Sequence, residues 1–460
     1  MLHLIDLKAR VLNAIRDLSK ESFDESFLKK IKANEYISID LPLANLDLIE
    51  LTQFAKASPR MFFKQRGFDQ GSRKEVLGLG SNITFTKKSD YNKILDITEK
   101  CSKIHIIGAQ RFDTNSSRDT EWGDLGECFF FVPKVCLIKE AESTLARIQF
   151  PKKILSNPRE KAKYSFALNH CLEFETHEDI IERRSPSTLE VIETPGKQTW
   201  DHMISTSLDF FTRDNLDKVV LARKKIVICN DQVNSLTLLK ELHEKANESY
   251  LGFIQIDEQR SFLTLTPERL FLKEHHSLKI DSIAGTRKRS PNEAEDKLLE
   301  NDLKSSPKEI KEHRLVTNTI KMKMQNLGLR PEVKQIEEVL KLHYVQHIHS
   351  KVEAYTTKKD NFAVLINTFH PTPAVGGLPG QKALSLINEL EPFDRGLYAA
   401  PMGYISGDST EFAVAIRSAL FENDRIHIYG GAGIVTGSNS EQEWEETGIK
   451  MNHFISYLQS

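Results

Sequence analysis

The sequence predicts an α+β fold dominated by antiparallel strands. Strand-like runs follow one another at 250–256, 261–265, 269–273 and 278–284, without helices between them. Helical patterns occur in separate blocks, and the chain has no internal repeat that would indicate a solenoid or a propeller. This order favours a mixed, mostly antiparallel architecture over a regular alternation of strand and helix.

The composition is that of a folded chain with no general affinity for polyanions. Hydrophobic residues make up 39% and charged residues 28% of the 460 residues, which differs from the composition of disordered chains. Because 63 Lys and Arg balance 65 Asp and Glu, we expect no nucleic-acid partner. No apolar run approaches the ~18 residues of a membrane-spanning helix, so we expect no membrane partner.

The cysteines indicate a reducing compartment. There are five, an odd number, and none forms a C-x-x-C pair. This pattern argues against a disulfide framework and against a structural zinc site. The N-terminal residues include Asp6 and Asp17 and lack an uninterrupted apolar stretch, so they do not resemble a secretory signal. We therefore expect a cytoplasmic protein.

The sequence of the first part of the chain predicts short strands and helices, followed by a linker. Apolar residues at helical spacing predict an N-terminal amphipathic helix buried on one face. The segment 129–140 predicts a strand broken at Pro133, and 142–153 predicts a helix that runs into a turn. Two prolines and several polar residues make 183–199 the best candidate linker. We therefore divide the chain into an N-terminal half of the fold, 1–190, and a catalytic region, 191–460.

The second part predicts clearer elements. A helix at about 200–213 precedes a strand rich in β-branched residues, and a long helical tract and a final helix follow. The predicted segments are a strand at 218–228, a helical tract at 292–328, strands at 362–368, 399–405, 411–420 and 425–430, and a helix at 440–458.

Two motifs leave alternatives open. The glycine-rich stretch 429–438 nearly matches a dinucleotide fingerprint, but Thr436 stands where the third glycine should be. Its glycines more plausibly allow backbone N–H groups to approach a ligand carboxylate. His343 and His347 are four residues apart and could bind zinc on a helix, but the local composition favours a strand. We expect one of His343, His347 and His349 to line a polar pocket.

Four charged residues stand out for their surroundings or spacing. Glu268 lies between two apolar strand-like runs, where a carboxyl group would have a raised pKa and could act as an acid near neutral pH. Lys218 opens a strand, where a lysine can face a cavity. Glu312 and Glu446 lie on separate helical segments, and two carboxylates from different elements suit Mg²⁺, which takes few protein ligands.

The second part also resembles a known enzyme family, the chorismate-utilising enzymes. This family includes isochorismate, salicylate, anthranilate and aminodeoxychorismate synthases. Ten segments match in the family's order over about residues 197–458. They are KVVLAR (218–223), TPERL (266–270), SIAGTRKR (282–289), KEHRLV (311–316), VQH (345–347), HPTPAVGGLPGQKA (370–383), RGLYAAPMGY (395–404), EFAVAIRSA (411–419), YGGAGIV (429–435) and EQEWEETGIK (441–450).

The resemblance implies one large α+β unit with two packed, mainly antiparallel sheets flanked by helices. It implies that Lys218 activates water and that Glu268 acts as the acid, so Lys218 must be neutral and Glu268 protonated. It further implies that Glu312 and Glu446 bind Mg²⁺, with Glu443 supporting them. The positions that would line the chorismate pocket are His347, Ala374, Tyr398, Arg417, Gly431 and Lys450.

Three positions indicate the branch of the family. Lys218 replaces the glutamine typical of ammonia-using members, so we expect no glutaminase subunit. Ala284 replaces the lysine typical of aminodeoxychorismate synthases, and Ala374 replaces the threonine of members that eliminate pyruvate. The resemblance therefore implies conversion of chorismate to isochorismate, and the segments 110–113 and 129–134 also look like those of isochorismate synthases. The long N-terminal half and its segment 129–134 favour the menaquinone type. The alternatives are a salicylate synthase, an isochorismate synthase of a siderophore pathway, and an inactive binding module.

Overall fold

A computed structural model of the chain describes most of its residues. The described ranges are 2–18, 22–32, 35–67, 73–115, 119–123, 125–175, 186–213, 216–245, 248–341, 345–357 and 359–458. Within these ranges no helix is both long enough and apolar enough to cross a membrane.

The described residues form twelve α-helices and nineteen strands, in the following order. The helices are α1 (Leu2–Arg16), α2 (Glu25–Lys30), α3 (Leu48–Phe54), α4 (Tyr91–Lys100), α5 (Pro158–Cys171), α6 (Lys197–Arg213), α7 (Ser235–Lys245), α8 (Glu293–Ser305), α9 (Pro307–Asn326), α10 (Phe362–Phe369), α11 (Gly380–Leu390) and α12 (Ser440–Leu458). The strands are β1 (Tyr36–Leu43), β2 (Arg60–Lys64), β3 (Lys74–Phe85), β4 (Ile106–Gln110), β5 (Cys128–Glu140), β6 (Ser143–Pro151), β7 (Thr188–Thr194), β8 (Lys218–Cys229), β9 (Tyr250–Gln255), β10 (Arg260–Thr266), β11 (Arg269–Glu274), β12 (Ser277–Lys288), β13 (Glu332–Lys341), β14 (Val345–Tyr355), β15 (Gly377–Leu378), β16 (Pro401–Ile405), β17 (Ser409–Val414), β18 (Ser418–Glu422) and β19 (Arg425–Ile434).

The strands pair into two connected sheets in which every neighbouring pair is antiparallel. The first sheet has the order β1-β6-β5-β3-β2-β9-β10-β18-β19-β8-β7, and the short β15 also pairs with β8. The second has the order β5-β4-β16-β17-β11-β12-β14-β13, so both sheets share β5. The predicted α+β class with largely antiparallel sheets is confirmed.

Alternating side chains on β2 show how the first sheet separates two cores. Met61 and Phe63 point into a core that also contains residues of the second sheet, whereas Phe62 points to a core formed with α1, α3, α5 and α7. This alternation follows from the two-residue period of a strand. The two sheets pack closely, because a Cβ at Gly252 on β9 would lie 2.9 Å from the sulfur of Met402 on β16.

Most of the predicted elements are confirmed. The N-terminal helix is α1, and Leu7, Val11 and Ile15 are buried on one face of it. The strands predicted between 250 and 284 are β9 to β12, and the helices predicted at 200–213 and 440–458 are α6 and α12. The long helical tract is two helices, because Ser306 caps α9 and Pro307 begins it.

Several predicted elements are wrong. Residues 142–153 form β6 and a short 3₁₀ turn, because β6 pairs with both β1 and β5. Residues 362–368 form α10, which is capped by Asn361. The predicted break at Pro133 does not occur, and β5 continues past it. The described part of the predicted linker, 186–199, contains β7 and the start of α6, while 183–185 lie outside the described residues.

Strands from both parts of the chain contribute to both sheets. β2 pairs with β9 in the first sheet, and β4 pairs with β16 in the second. The N-terminal strands therefore support the strands that follow residue 200, and the boundary near residue 190 stays a prediction.

A tight contact fixes the segment that leads into β16. Gly396 has a φ of +54°, and a Cβ there would lie 1.9 Å from the ring of buried Trp122. The indole N–H of Trp122 donates to the carbonyl of Asp394, whose carboxylate pairs with buried Arg111. This packing holds the backbone just before Tyr398.

We predict that Gly396→Ala destabilises the protein by about 2–5 kcal/mol, because it combines a left-handed backbone with an overpacked ring contact. Gly328→Ala is the matched control, since Gly328 also has a positive φ of +79° but has open space around it. Thermal unfolding of both variants measures the difference. Equal midpoints would show that the Trp122 contact does not limit the position.

Candidate active site

Lys218 and Glu312 meet at the start of β8. The Lys218 ammonium lies 3.0 Å from Oε1 of Glu312 on α9, and its side chain is largely buried. Gly433, on the neighbouring strand β19, leaves the space that this lysine occupies, since a Cβ there would lie 2.9 Å from Lys218 Cε. The glycine-rich segment therefore makes room for a side chain as well as for backbone approach.

Glu268 is a buried carboxyl group in the short connection between β10 and β11. It is 9% exposed, and its Oε1 accepts a 2.8 Å hydrogen bond from the Thr372 hydroxyl. Burial raises the pKa of Glu268 to about 7, and this effect outweighs the hydrogen bond from Thr372 and the charge of Lys218, which both act to lower it. The predicted raised pKa is therefore confirmed, and the group can hold a proton near neutral pH.

Tyr398, Gly431 and Lys450 converge on β19. A Cβ at Gly431 would lie 2.7 Å from the Tyr398 hydroxyl, and the Lys450 ammonium donates to the Gly431 carbonyl at 2.9 Å. Lys450 also lies 2.7 Å from Oε1 of Glu446, one turn earlier on α12. Burial raises the pKa of Tyr398, so its hydroxyl remains protonated and available as a donor.

Arg417 and His347 contribute polar groups to the same region. Arg417 has a φ of +50°, in the left-handed region that non-glycine residues rarely adopt. Burial lowers the pKa of its guanidinium to about 10, and no acidic partner is found for it in the described part of the chain. His347 uses Nδ1 with Thr286 and Gly285, while its Nε2 is buried without a partner among the described residues.

The charges of Arg417 and Lys450 both affect the pKa of His347. It is lowered to about 3 by burial first, and then by the charges of Arg417 and Lys450. His347 is therefore neutral, and the three side chains lie close enough to interact. A half-buried guanidinium with no acidic partner among the described residues is suited to bind an anionic ligand.

Three carboxylates lie on the helices α9 and α12 beside this region. Burial raises the pKa of Glu443, and the negative charge of Glu446 raises it further, so these two carboxyl groups are close. Glu312 and Glu446 each have a lysine ammonium as counter-charge. Among the described residues no three His, Cys, Asp or Glu form a cluster that could hold a metal ion unaided. Hard oxygen ligands of this kind fit Mg²⁺, which completes its shell with water and ligand oxygens.

The alternative zinc site, formed by His343 and His347, stays a prediction. His347 and His349 lie on β14, where the strand prediction is confirmed, and His349 Nε2 contacts Asp281 at 2.6 Å. His343 lies outside the described residues. One of the three, His347, lines the polar region.

The structure brings the predicted site residues into one region through these contacts. Ala374 joins them, because it borders the same small cavity as Glu268 and Thr372. Their individual roles stay predictions. Thr372 and Gly433 were missed as site residues, although both lie inside matched segments, two residues before Ala374 and two after Gly431.

Comparisons with known proteins place this geometry in a family. The family model described as "Chorismate binding enzyme" matches residues 21–459. Isochorismate synthase 2, chloroplastic, of Arabidopsis thaliana is 30% identical over 438 residues, which cover 87% of this chain and 76% of that protein. Isochorismate synthase MenF of Bacillus subtilis is 28% identical over 454 residues, covering 94% and 95%.

A solved structure has the same fold. The structure of MenF, the menaquinone-specific isochorismate synthase from Escherichia coli, superposes with a TM-score of 0.86 at 23% identity and covers 99% of this chain and 100% of that one. It confirms the expected architecture of two packed antiparallel sheets with flanking helices. With a family match over nearly its whole length, this chain belongs to the chorismate-binding enzymes.

Proposed function

We propose that this enzyme is an isochorismate synthase, which converts chorismate to isochorismate with the help of Mg²⁺. The observation that carries the proposal is a buried carboxyl group with a pKa of about 7, Glu268, close to the Lys218 amine. An acid and a base in one region are what an exchange of one hydroxyl group for another requires. The isochorismate synthases among the relatives support the same reaction.

The cations of the site would bind the substrate. Chorismate carries two carboxylates, and Arg417 and Lys450 provide one guanidinium and one ammonium for them. The Nε2 of His347, for which the described residues offer no partner, and the Tyr398 hydroxyl would complete the polar contacts. Gly431 keeps the backbone of β19 open to the ligand, because a side chain there would collide with Tyr398.

The chemical step involves two proton transfers, one to the Lys218 amine and one from the Glu268 carboxyl group. Lys218 acts as the base: once its ammonium, paired with Glu312 in the structure, has released a proton, the amine takes a proton from the water whose oxygen adds to C2 of chorismate. The ring double bonds shift as the C4 hydroxyl departs, and protonated Glu268 gives that hydroxyl its proton, so it leaves as water. Lys218 ends protonated and Glu268 ends ionised, and one water is taken up for each one released.

Glu312 and Glu446 are the proposed ligands of Mg²⁺, and Glu443 is close to Glu446. A bound Mg²⁺ would supply positive charge to the ring carboxylate of the substrate. In the structure, Lys218 and Lys450 provide the counter-charges for these carboxylates, so the ligand groups are already held in a cationic environment.

The proposed branch depends on Lys218 and Ala374. A lysine that activates water makes an ammonia-supplying glutaminase subunit unnecessary. Ala374 places a methyl group beside Glu268 where pyruvate-eliminating members have a hydroxyl, so isochorismate would be released. We further propose a place in menaquinone biosynthesis and in the cytoplasm, which the five free cysteines of the chain suit.

The direct test is product analysis of chorismate incubated with the purified enzyme, with and without Mg²⁺. Chromatography should show isochorismate as the product only when Mg²⁺ is present. Anthranilate formation with ammonia, or no consumption of chorismate, would contradict the proposal.

We predict that Glu268→Gln and Lys218→Ala each lower kcat by about 10²–10⁴-fold, the usual contribution of an acid or base group. Chorismate binding should survive, because the anchoring cations are unchanged. Glu274→Gln and Lys225→Ala are matched controls on β11 and β8. Steady-state rates and a binding titration measure both effects, and near-normal kcat in either site variant would reassign its role.

The pH dependence follows from the protonated form of Glu268. Since its pKa is raised to about 7 by burial, the acid form is lost as the pH rises through that value. We therefore expect wild-type kcat to fall above about pH 7. Thr372→Val removes a hydrogen bond that stabilises the ionised form of Glu268, so the fall in kcat should occur at higher pH. If kcat of this variant fell at the same pH as kcat of the wild type, a group other than Glu268 would be responsible for the pH dependence.

We predict that Glu312→Gln and Glu446→Gln each abolish Mg²⁺-dependent activity and weaken Mg²⁺ binding measured by calorimetry. A neutral amide is a poor replacement for an anionic ligand of a hard cation. The control is Glu445→Gln, an exposed neighbour on α12. Wild-type activity at low Mg²⁺ in either site variant would remove that carboxylate from the metal site.

We predict that Ala374→Thr introduces release of pyruvate, because it restores the hydroxyl found in the eliminating members. A lactate dehydrogenase coupled assay measures pyruvate directly. Stoichiometric pyruvate from the unchanged enzyme would instead favour a salicylate synthase.

A further inference from the structure

A small cavity borders Glu268. It has a volume of about 20 Å³, which is room for one water molecule. Its polar lining includes Glu268, Thr372 and Lys323, and its apolar lining includes Ile320 and Phe369. Of the proposed site residues, Glu268 and Ala374 border it, whereas Lys218, Arg417 and Lys450 do not.

Lys323 is a basic group that the proposed mechanism does not use. It lies on α9 one turn after Thr319, which also borders the cavity. Its side chain is partly buried, and no hydrogen bond or ion pair of its ammonium is found within the described ranges. A lysine left without an anionic partner in a mostly apolar pocket loses its proton more easily than one in water.

The proposed reaction requires a source of protons at Glu268. Each turnover leaves this carboxyl ionised, and the next substrate needs it protonated. Lys218 gains its proton from the attacking water, on the substrate side of Glu268, and the small cavity offers Glu268 a second route by which to regain a proton. Because Glu268 is only 9% exposed, a basic group that reaches solvent and borders the same cavity would shorten the path of a proton from bulk water.

We propose that Lys323 returns a proton to Glu268 through one water in this cavity after each turnover. The ammonium gives a proton to the water as the water gives one to the carboxylate. Lys323 ends neutral and recovers a proton from solvent, which its partly exposed side chain can reach. Lys323 does not touch the substrate and acts only through Glu268, so the inference rests on the proposed function.

The protonation equilibria of the surrounding groups support this route. Burial lowers the pKa of Lys323 to about 8 and raises the pKa of Glu268 to about 7, so a proton passes between them reversibly, with transfer to Glu268 slightly uphill. Arg269 and Asp281 also border the cavity, but they form an ion pair at 3.2 Å.

His370 is the other titratable group close to Lys323. Its pKa is lowered to about 3, mainly by burial and in smaller part by the charge of Lys323, so it is neutral. Among these groups, Glu268 and Lys323 are the two that change protonation near neutral pH.

The test compares the first turnover with later turnovers in Lys323→Met, which keeps the length of the side chain without its proton. In rapid-quench experiments with chorismate and Mg²⁺ at pH 7, the variant should form about one isochorismate per enzyme at the wild-type rate. The following steady state should be slower by about tenfold or more. Lys323→Arg keeps the charge but does not release its proton, so it should show the same burst and slow phase.

Controls separate this relay from a structural effect. Lys321→Met changes a lysine on the same helix that does not border the cavity, and it should behave as wild type. A wild-type steady state in Lys323→Met, or an equal loss in the burst and the steady state, would overturn the relay and leave the proposed function intact. Wild-type enzyme that forms no isochorismate would overturn the proposed function and the relay with it.

Discussion

A buried network of ion pairs connects the N-terminal strands to the acid of the site. Arg66, just after β2, donates to the carbonyl of Pro267 at 2.8 Å and pairs with Asp281 at 2.6 Å. Arg269 pairs with Asp281 and with Glu411, at 3.2 and 3.3 Å. The four charged side chains are almost completely buried, so removing one partner leaves an uncompensated charge, which typically costs about 3–5 kcal/mol. The connection that carries Glu268 is therefore held on both sides.

This network explains why strands from both parts of the chain are needed for one site. The backbone before Glu268 is tied to Arg66, and the residue after Glu268 is itself an ion-pair member. The backbone carbonyl of Glu268 accepts from the N–H of Val414 on β17. Because the carboxyl cannot move out to water, the cost of ionising it stays high, and that cost is what makes it an acid near neutral pH.

The charged side chains of the rest of the site differ in whether they have an oppositely charged partner. Glu312 and Glu446 each have a lysine, whereas no acidic partner is found for Arg417 in the described residues. Arg417 is further held in a left-handed conformation between β17 and β18, which the flanking strand pairs enforce. A guanidinium with no acidic partner among the described residues is suited to bind a carboxylate of the substrate.

The errors of the sequence-based predictions have physical causes. The segment 142–153 has apolar residues whose spacing suits a helix, but β5 and β1 offer hydrogen bonds on both sides and impose a strand. The segment 362–368 is apolar on nearly all sides, as a buried strand is, and the cap from Asn361 settles it as a helix. Pro133 pairs with Ser81 of β3, and the register of this strand pair shifts directly after Ser81. At such an irregularity a strand can lack one hydrogen bond, so β5 accommodates the missing N–H of Pro133.

The sequence by itself determined the order of the matched segments, the candidate acid, base and metal ligands, and the strand pattern of the sheets. The strand pattern depends on residue type and local spacing, whereas the roles of acid, base and metal ligands are what the resemblance to the family implies. Only the tertiary structure decided the partner of Glu268, the absence of a described partner for Arg417 and the shared cavity of Glu268 and Lys323. Burial and electrostatic fields arise from groups far apart in the chain: Thr372 lies 104 residues from Glu268, and only folding brings their oxygens to 2.8 Å.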